Sequence, residues 1–499
     1  MKSITKRRLP ACVAAAMFVA VLLAGCTVGP HYRPPAPPTV GTYTPVPQPS
    51  NTVSSAGSTG AAQHLDPAMD VPAQWWTLFH SPELDRLVRE ALANSPTLAQ
   101  ATARLKEAQE ESNARTGATK YPSVNANISV QREQLDLAQF GVPFPSPPPF
   151  SLLNGSVAVS YALDLFGANR RLVEGLNAQA EYQRWQLQAA RLMLAGNVVS
   201  AVIRQAQLHS QIEITGKLLE LQQKQLAITE QRVQAGGLPQ YEINRQRTLV
   251  EQTRASVPQL EQQVELVNHQ LAVLIGKSPA EAEIKGISLD SLQLPNELPL
   301  SLPSSLARQR PDIRASEALL HQASANVGLA TANLYPQIVL SGSVGGIGTS
   351  FTKGADVWSV GASLAQPIFN GGALQAEKRK SVAAYQEAGS SYQQTLLQAF
   401  REVADALTAI EKDAQTLQAR SEAAAQAEVT YQIAEQRFHA GGISQLALLD
   451  AQRQYLQTML DRTTSAASRY TDSASLFQAL GGGWWNETQT SAAKKPPIP

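Results

Sequence analysis

The chain has 499 residues, room for two or more domains or for one very elongated one. Its 41 Lys and Arg stand against 40 Asp and Glu, and a formal charge of +1 gives no electrostatic case for nucleic acid. Two cysteines and only 6% aromatic residues suit long, closely packed helices without disulfides better than a thick globular core.

In chain order, Lys2, Lys6, Arg7 and Arg8 precede an apolar run from Ala11 to Leu23. That run is too short to span a bilayer but suits a signal peptide over residues 1–25. Leu23-Ala24-Gly25-Cys26 resembles the lipobox of bacterial lipoproteins. Cys26 is therefore the expected lipidation site, and Thr27 in place of an aspartate points to the outer membrane. Cys12 leaves with the signal peptide, so the mature chain is expected to hold no disulfide. Residues 26–65 are rich in Pro, Ser, Thr and Gly, and read as a lipid-anchored tether. Beyond Cys26 no run of 18 apolar residues offers a transmembrane helix.

Helical periodicity starts near Pro82, with Leu84, Leu87, Val88, Ala91 and Leu92 on one face. The body then repeats. Lys120-Tyr121-Pro122 returns as Leu334-Tyr335-Pro336, and Leu165-Phe166-Gly167 as Ile368-Phe369-Asn370. Ile228 to Gly237 returns as Ile433 to Gly442. Two copies are too few for a solenoid, and a duplicated unit that closes by oligomerising fits better. The expected divisions are a first repeat over 66–277, a connector over 278–303, a second repeat over 304–482 and a tail over 483–499.

Each copy holds two strand-like segments. Val124, Ala126, Ile128 and Val130 alternate with Asn125, Asn127 and Ser129, and Val157, Val159, Tyr161 and Leu163 alternate with Ser156, Ser160 and Asp164. Ile338 and Leu340, then Trp358, Val360, Ala362 and Leu364, repeat the pattern more weakly. Apolar and small polar residues in strict alternation mark strands of a membrane β-barrel; a soluble half-buried sheet is the competing interpretation. Four strands cannot close a barrel, and lipid tolerates no open edge, so the missing strands are expected from other chains. Between the first two strands, the Phe140 to Pro149 stretch is too rich in proline for sheet interior.

Each strand pair precedes a long proline-free stretch. Ala168 to Gln234 and Ala373 to Ala440 are expected as helices of about 100 Å, at ~1.5 Å per residue. Both end at Gly-Gly, and helices return over Tyr241 to Ile275, with Pro258 expected to kink it, and over Gln445 to Leu480.

Here the residues resemble a known family. Cys26-Thr27-Val28-Gly29-Pro30-His31-Tyr32, Trp75-Trp76 before Pro82-Glu83-Leu84, both Tyr-Pro sites and both Ala-Gly-Gly tips resemble TolC-like outer-membrane efflux proteins. The match is to the lipoprotein branch serving resistance-nodulation-division (RND) systems, the NodT-like outer-membrane factors. The resemblance implies an α+β membrane protein. It would be a homotrimeric duct with a 12-stranded β-barrel, four strands per chain, a long periplasmic α-helical barrel and a mixed equatorial domain. It implies a passive channel in the outer membrane, lipid-anchored and reaching into the periplasm. Its implied partners are a periplasmic adaptor protein, an inner-membrane RND pump and outer-membrane lipid, with drugs or other small molecules as substrates. It also implies a periplasmic gate at the helix tips. Asp450 matches an acidic gate position and Phe438 a tip-locking aromatic, while Ala447 departs from a second acidic position. Glu242 matches an acid that bonds the hydroxyl which Phe438 lacks. Arg245 and Arg247 are the candidates to pair with Glu242 or Asp450 instead. Gly236, Gly237, Gly441 and Gly442 match the tips where the adaptor docks.

No enzyme motif stands out: there is no GxSxG elbow, no P-loop, no CxxC and no HExxH, so neither metal nor cofactor is expected. A type I secretion or metal-efflux duct shares the same body. A non-channel structural lipoprotein of coiled helices is the alternative from another class, and a lipoprotein hydrolase lacks a nucleophile constellation.

Overall fold

The computed structural model describes residues 27–46, 48–134, 141, 148–350 and 353–486. The expected signal peptide, Cys26, most of the 140–149 loop and residues 487–499 lie outside the described residues. In chain order the elements are β1 (His64–Asp66), α1 (Pro82–Asn94), α2 (Pro96–Lys120), β2 (Ser123–Glu133) and β3 (Phe150–Leu163). Next come α3 (Ala168–Gln234), α4 (Tyr241–Leu274), β4 (Glu297–Pro299), α5 (Pro303–Gln309) and α6 (Pro311–Ala332). The last four are β5 (Gln337–Ser350), β6 (Lys353–Ala365), α7 (Ala373–His439) and α8 (Gln445–Ala479). The chain divides into two compact units, one of residues 1–35, 104–183 and 315–393, the other of the remainder.

The first unit carries an antiparallel sheet in the order β2-β3-β5-β6. Register decides its faces, because residues directly opposite share a side. Val124 lies opposite Val159, Val157 opposite Val344, Tyr161 opposite Leu340, and Ile338 opposite Leu364. One face is thus apolar across all four strands. The other carries Asn125, Asn127, Ser341, Ser343, Ser359 and Ser363, with Ser343 and Ser359 hydrogen-bonded at 2.9 Å. The apolar face has no core beneath it: Ile128 is 81% and Val360 82% exposed. A soluble sheet would bury that face, so the half-buried alternative does not fit, whereas lipid satisfies it. β2 and β6 are the edges.

The segment after Cys26 is strapped onto this unit. Val28 N donates to Phe166 O at 3.2 Å, and Tyr32 stacks on His321 at 4.2 Å. Gly29, at φ +90°, crosses Gly328 so closely that a Cβ would come within 2.5 Å of its Cα. Two glycines are what this crossing requires.

In the second unit, Ser81 caps α1 by accepting from Leu84 N, Pro82 opens the helix, and Leu84, Leu87, Val88 and Ala91 are buried. Trp75 stacks on Phe477 at 5.5 Å beside Phe79 and Tyr470. The stretch expected as an extended, lipid-anchored tether is folded here over part of its length. Buried Arg469 on α8 donates to Thr59 O at 3.1 Å, Ala61 O at 2.9 Å and Gln63 Oε1 at 3.0 Å. A desolvated guanidinium needs acceptors, and the backbone of this polar stretch supplies them. β1 adds parallel pairing with β4.

The long helices follow the proline-free stretches closely, and α4 continues unbroken through Pro258. Along α7, Ala399, Val403, Ala406, Ile410, Ala414, Leu417, Ser421, Ala424, Ala427, Tyr431, Ala434 and Phe438 are all buried. Their spacing averages about 3.5 residues, the repeat of a left-handed coiled coil, and the many alanines permit close helix approach. Among the described residues, no helix is long and apolar enough to cross a membrane.

Candidate functional site at the helix tips

Both hairpin tips are built by the same backbone device. At the end of α3, Gly236 takes φ +76°; its N–H donates to Val233 O at 2.9 Å, and Gly237 N–H to Arg232 O at 2.8 Å. At the end of α7, Gly441 takes φ +76°; its N–H donates to Phe438 O at 3.0 Å, and Gly442 N–H to Arg437 O at 2.8 Å. These are paired Schellman motifs, in which only glycine accepts the left-handed position without strain. Ser444 then caps α8 by accepting from Ala447 N at 3.3 Å.

Side chains tie the two hairpins together. Arg232, from the first, donates to Phe438 O and His439 O of the second, each at 3.1 Å. Its guanidinium also lies 4.6 Å from the Phe438 ring centroid. A cation on the last carbonyls of α7 complements the helix dipole, and the ring adds a cation–π contact. Phe438 is buried with Tyr431, Ala434 and Leu448, and Leu221, Leu238 and Tyr455 pack against them. Burial first, then the hydrogen bond to Glu435, push the Tyr431 hydroxyl up to about 12.

A buried amide network lies close by. Gln445 Nε2 reaches Thr229 Oγ1 at 3.0 Å and Gln246 Oε1 at 3.3 Å, and Gln246 Nε2 donates to Gln222 O at 3.1 Å. Sequence reasoning passed over these residues and Arg232. The signal was present: Gln222, Gln225 and Thr229 recur at helical spacing, and polar groups on a buried face need partners.

Of the sequence-predicted acids and bases, Arg245 takes an expected partner, whereas Arg247 and Asp450 do not. Arg245 pairs with Glu242 at 3.6 Å, and Glu242 is buried with its Oε2 lacking a hydrogen-bond partner. Arg247 reaches neither Glu242 nor Asp450 but Glu230, at 2.7 Å, because it projects from α4 toward α3. Asp450 is exposed and pairs with Arg453 on its own helix at 3.1 Å. Among the described residues no cluster of His, Cys, Asp and Glu suits a metal ion.

A family model described as outer membrane efflux protein matches residues 87–277 and 302–482. The pyoverdine export outer membrane protein OpmQ of Pseudomonas putida is 31% identical over 91% of this chain and 95% of its own. The probable outer membrane lipoprotein SilC of Salmonella typhimurium is 29% identical over 93% of this chain and 97% of its own. The solved outer-membrane channel OprN superposes with a TM-score of 0.82 at 29% identity, covering 92% of this chain and all of that one.

Proposed function

The chain belongs to the outer membrane efflux protein family, and on that premise we propose that it is a passive outer-membrane duct of a tripartite RND-type system, carrying small molecules outward. The observation that carries this reading is the four-stranded sheet with one uncovered face that is apolar from Val124 to Val130 and from Trp358 to Leu364, and two open edges. Such a sheet is stable in lipid only when further strands pair its edges, and three copies would close a 12-stranded barrel. Cys26 supplies the lipid anchor. The glycine tips receive a periplasmic adaptor, which links the duct to an inner-membrane pump. Asp450, Phe438, Glu242 and Arg245 belong to the periplasmic gate, with Arg232 holding the two hairpins shut against each other. Energy comes from the pump, and the duct itself performs no chemistry.

Single-channel recording of the purified mature protein in planar bilayers tests this. Small currents are expected from wild type and larger ones from Arg232→Ala. Folded oligomers that pass no current in either form overturn the duct and favour the structural lipoprotein.

A further inference from the structure

We propose that Tyr121 of one copy stacks against Phe369 of the next, an aromatic latch that joins neighbouring copies where each sheet edge meets its helices. This contact rests on the proposed closure of the barrel by several copies. It is deduced from a pair already visible within one chain. Phe166, in the turn between β3 and α3, stacks on Tyr335 with ring centroids 4.7 Å apart and planes 19° from parallel. Tyr335 lies two residues before β5, and pairing of β3 with β5, Leu163 opposite Ile338, brings the two rings together. Each ring has a repeat counterpart. Tyr121 likewise precedes a proline and lies two residues before β2, and Phe369 lies in the turn between β6 and α7.

Those counterparts sit at the two open edges. Phe369 is 91% exposed, its neighbour Ile368 96%, and Tyr121 61%. Leu165 and Phe166, in the first copy of the motif, are half-buried instead. Lys120 Nζ lies 5.6 Å from the Tyr121 ring centroid and occupies one face only. Among the described residues no ring stacks on Phe369. Two exposed aromatics, each the repeat image of a stacked partner, are explained together when β6 of one copy pairs with β2 of another. The occupant of this surface is therefore a second copy of the same chain.

The test places the photo-reactive phenylalanine analogue p-benzoylphenylalanine at position 121 of the full-length chain, illuminated in outer membranes. Covalent oligomers are expected, with the adduct mapping to residues 366–372. Oligomers whose adduct maps to another peptide, or adducts to lipid alone, overturn the latch while leaving the barrel intact. Tyr121→Cys with Phe369→Cys gives a second readout, because the other cysteine of the mature chain, Cys26, is expected to be acylated. A short bismaleimide should link this pair between chains, whereas Phe166→Cys with Tyr335→Cys should link within one chain. Closure of the internal pair without the external one also overturns the proposal. Wild-type protein that stays monomeric in the membrane overturns the assembly reading, and this contact with it.

Discussion

Removing the Arg232 side chain should loosen the tips without unfolding the body. Its guanidinium makes two charge-assisted hydrogen bonds to carbonyls, at 3.1 Å each, and a cation–π contact at 4.6 Å. Hydrogen bonds to charged groups contribute about 1.5–3 kcal/mol in protected settings, and cation–π contacts about 0.5–1 kcal/mol. Arg232 is only half-buried, so screening reduces the total to about 2 kcal/mol, or roughly 30-fold in the equilibrium for parting the hairpins. Hydrogen exchange reads this directly. The amides of Gly441 and Gly442 are held by Phe438 O and Arg437 O in the turn that Arg232 buttresses. In Arg232→Ala they should exchange roughly 30-fold faster, while amides of α1, remote in sequence and capped by Ser81, keep their protection. Arg232→Lys keeps the charge but cannot span both carbonyls, and should fall between. Unchanged exchange at Gly441 and Gly442 in Arg232→Ala would refute the idea that this side chain locks the tip.

Other residues give sharper yes-or-no outcomes. Gly441→Ala should cost about 1 kcal/mol in thermal unfolding, because φ is +76° and no atom lies within 4 Å to clash, whereas Gly442→Ala, with ordinary φ, should be nearly neutral. Ile128→Lys puts a charge on the apolar face and should cost about 2–4 kcal/mol near the midplane, emptying the outer membrane of assembled protein; Asn127→Lys, one residue away on the polar face, should assemble. Burial, then the negative charge of Asp413, push the Asp472 carboxyl up from 3.8 to about 8 against the opposing pull of Arg469. The folded state therefore keeps a proton that the unfolded chain loses, so this contribution to stability is complete below pH 3.8 and is lost as pH rises through about 8. Melting temperature should fall from pH 5 to pH 9, and Asp472→Asn should flatten that slope; an identical slope in the variant rejects the assignment.

Much of this fold was legible because its signals are local and repeated. The bounds of α3 and α7 follow from proline-free stretches ended by Gly-Gly, and the strand faces follow from alternation confirmed by register. α2 was not marked out as a separate helix. Most of its side chains are exposed in the single chain, so no apolar stripe announces it; only Leu98 and Ser112 are buried. Residues 52–63 were misread for a different reason. Their composition is that of a linker, and what folds them is Arg469, some 400 positions later in sequence. At the tips, Gly236 and Gly441 were visible because the left-handed turn demands that residue type. The Arg232–Phe438 contact was hidden, since it joins two hairpins whose adjacency no local pattern encodes.

The repeat also changes what the gate should select. Counting from Gly236 and Gly441, each tip residue has its counterpart 205 positions on. Glu242 then corresponds to Ala447, and Arg245 to Asp450. In the proposed closed ring of copies, first and second hairpins would alternate, and Arg245 and Asp450 would then occupy equivalent positions around the axis. The proposed ring then carries both signs, Arg245 beside Glu242 and Asp450 beside Arg453, and is not the purely acidic ring that Asp450 alone suggests, so like-charge repulsion among the aspartates is offset by arginines. Selectivity should accordingly be weak in wild type and move in opposite directions on substitution. Arg245→Gln removes a positive charge from the ring while Asp450 keeps only Arg453 on its own helix, and should shift the reversal potential in a salt gradient toward cation preference. Asp450→Asn should shift it toward anions. If both substitutions move the potential the same way, Arg245 does not face the conduction path, and the correspondence of the two tips fails at the one position where it would set ion choice.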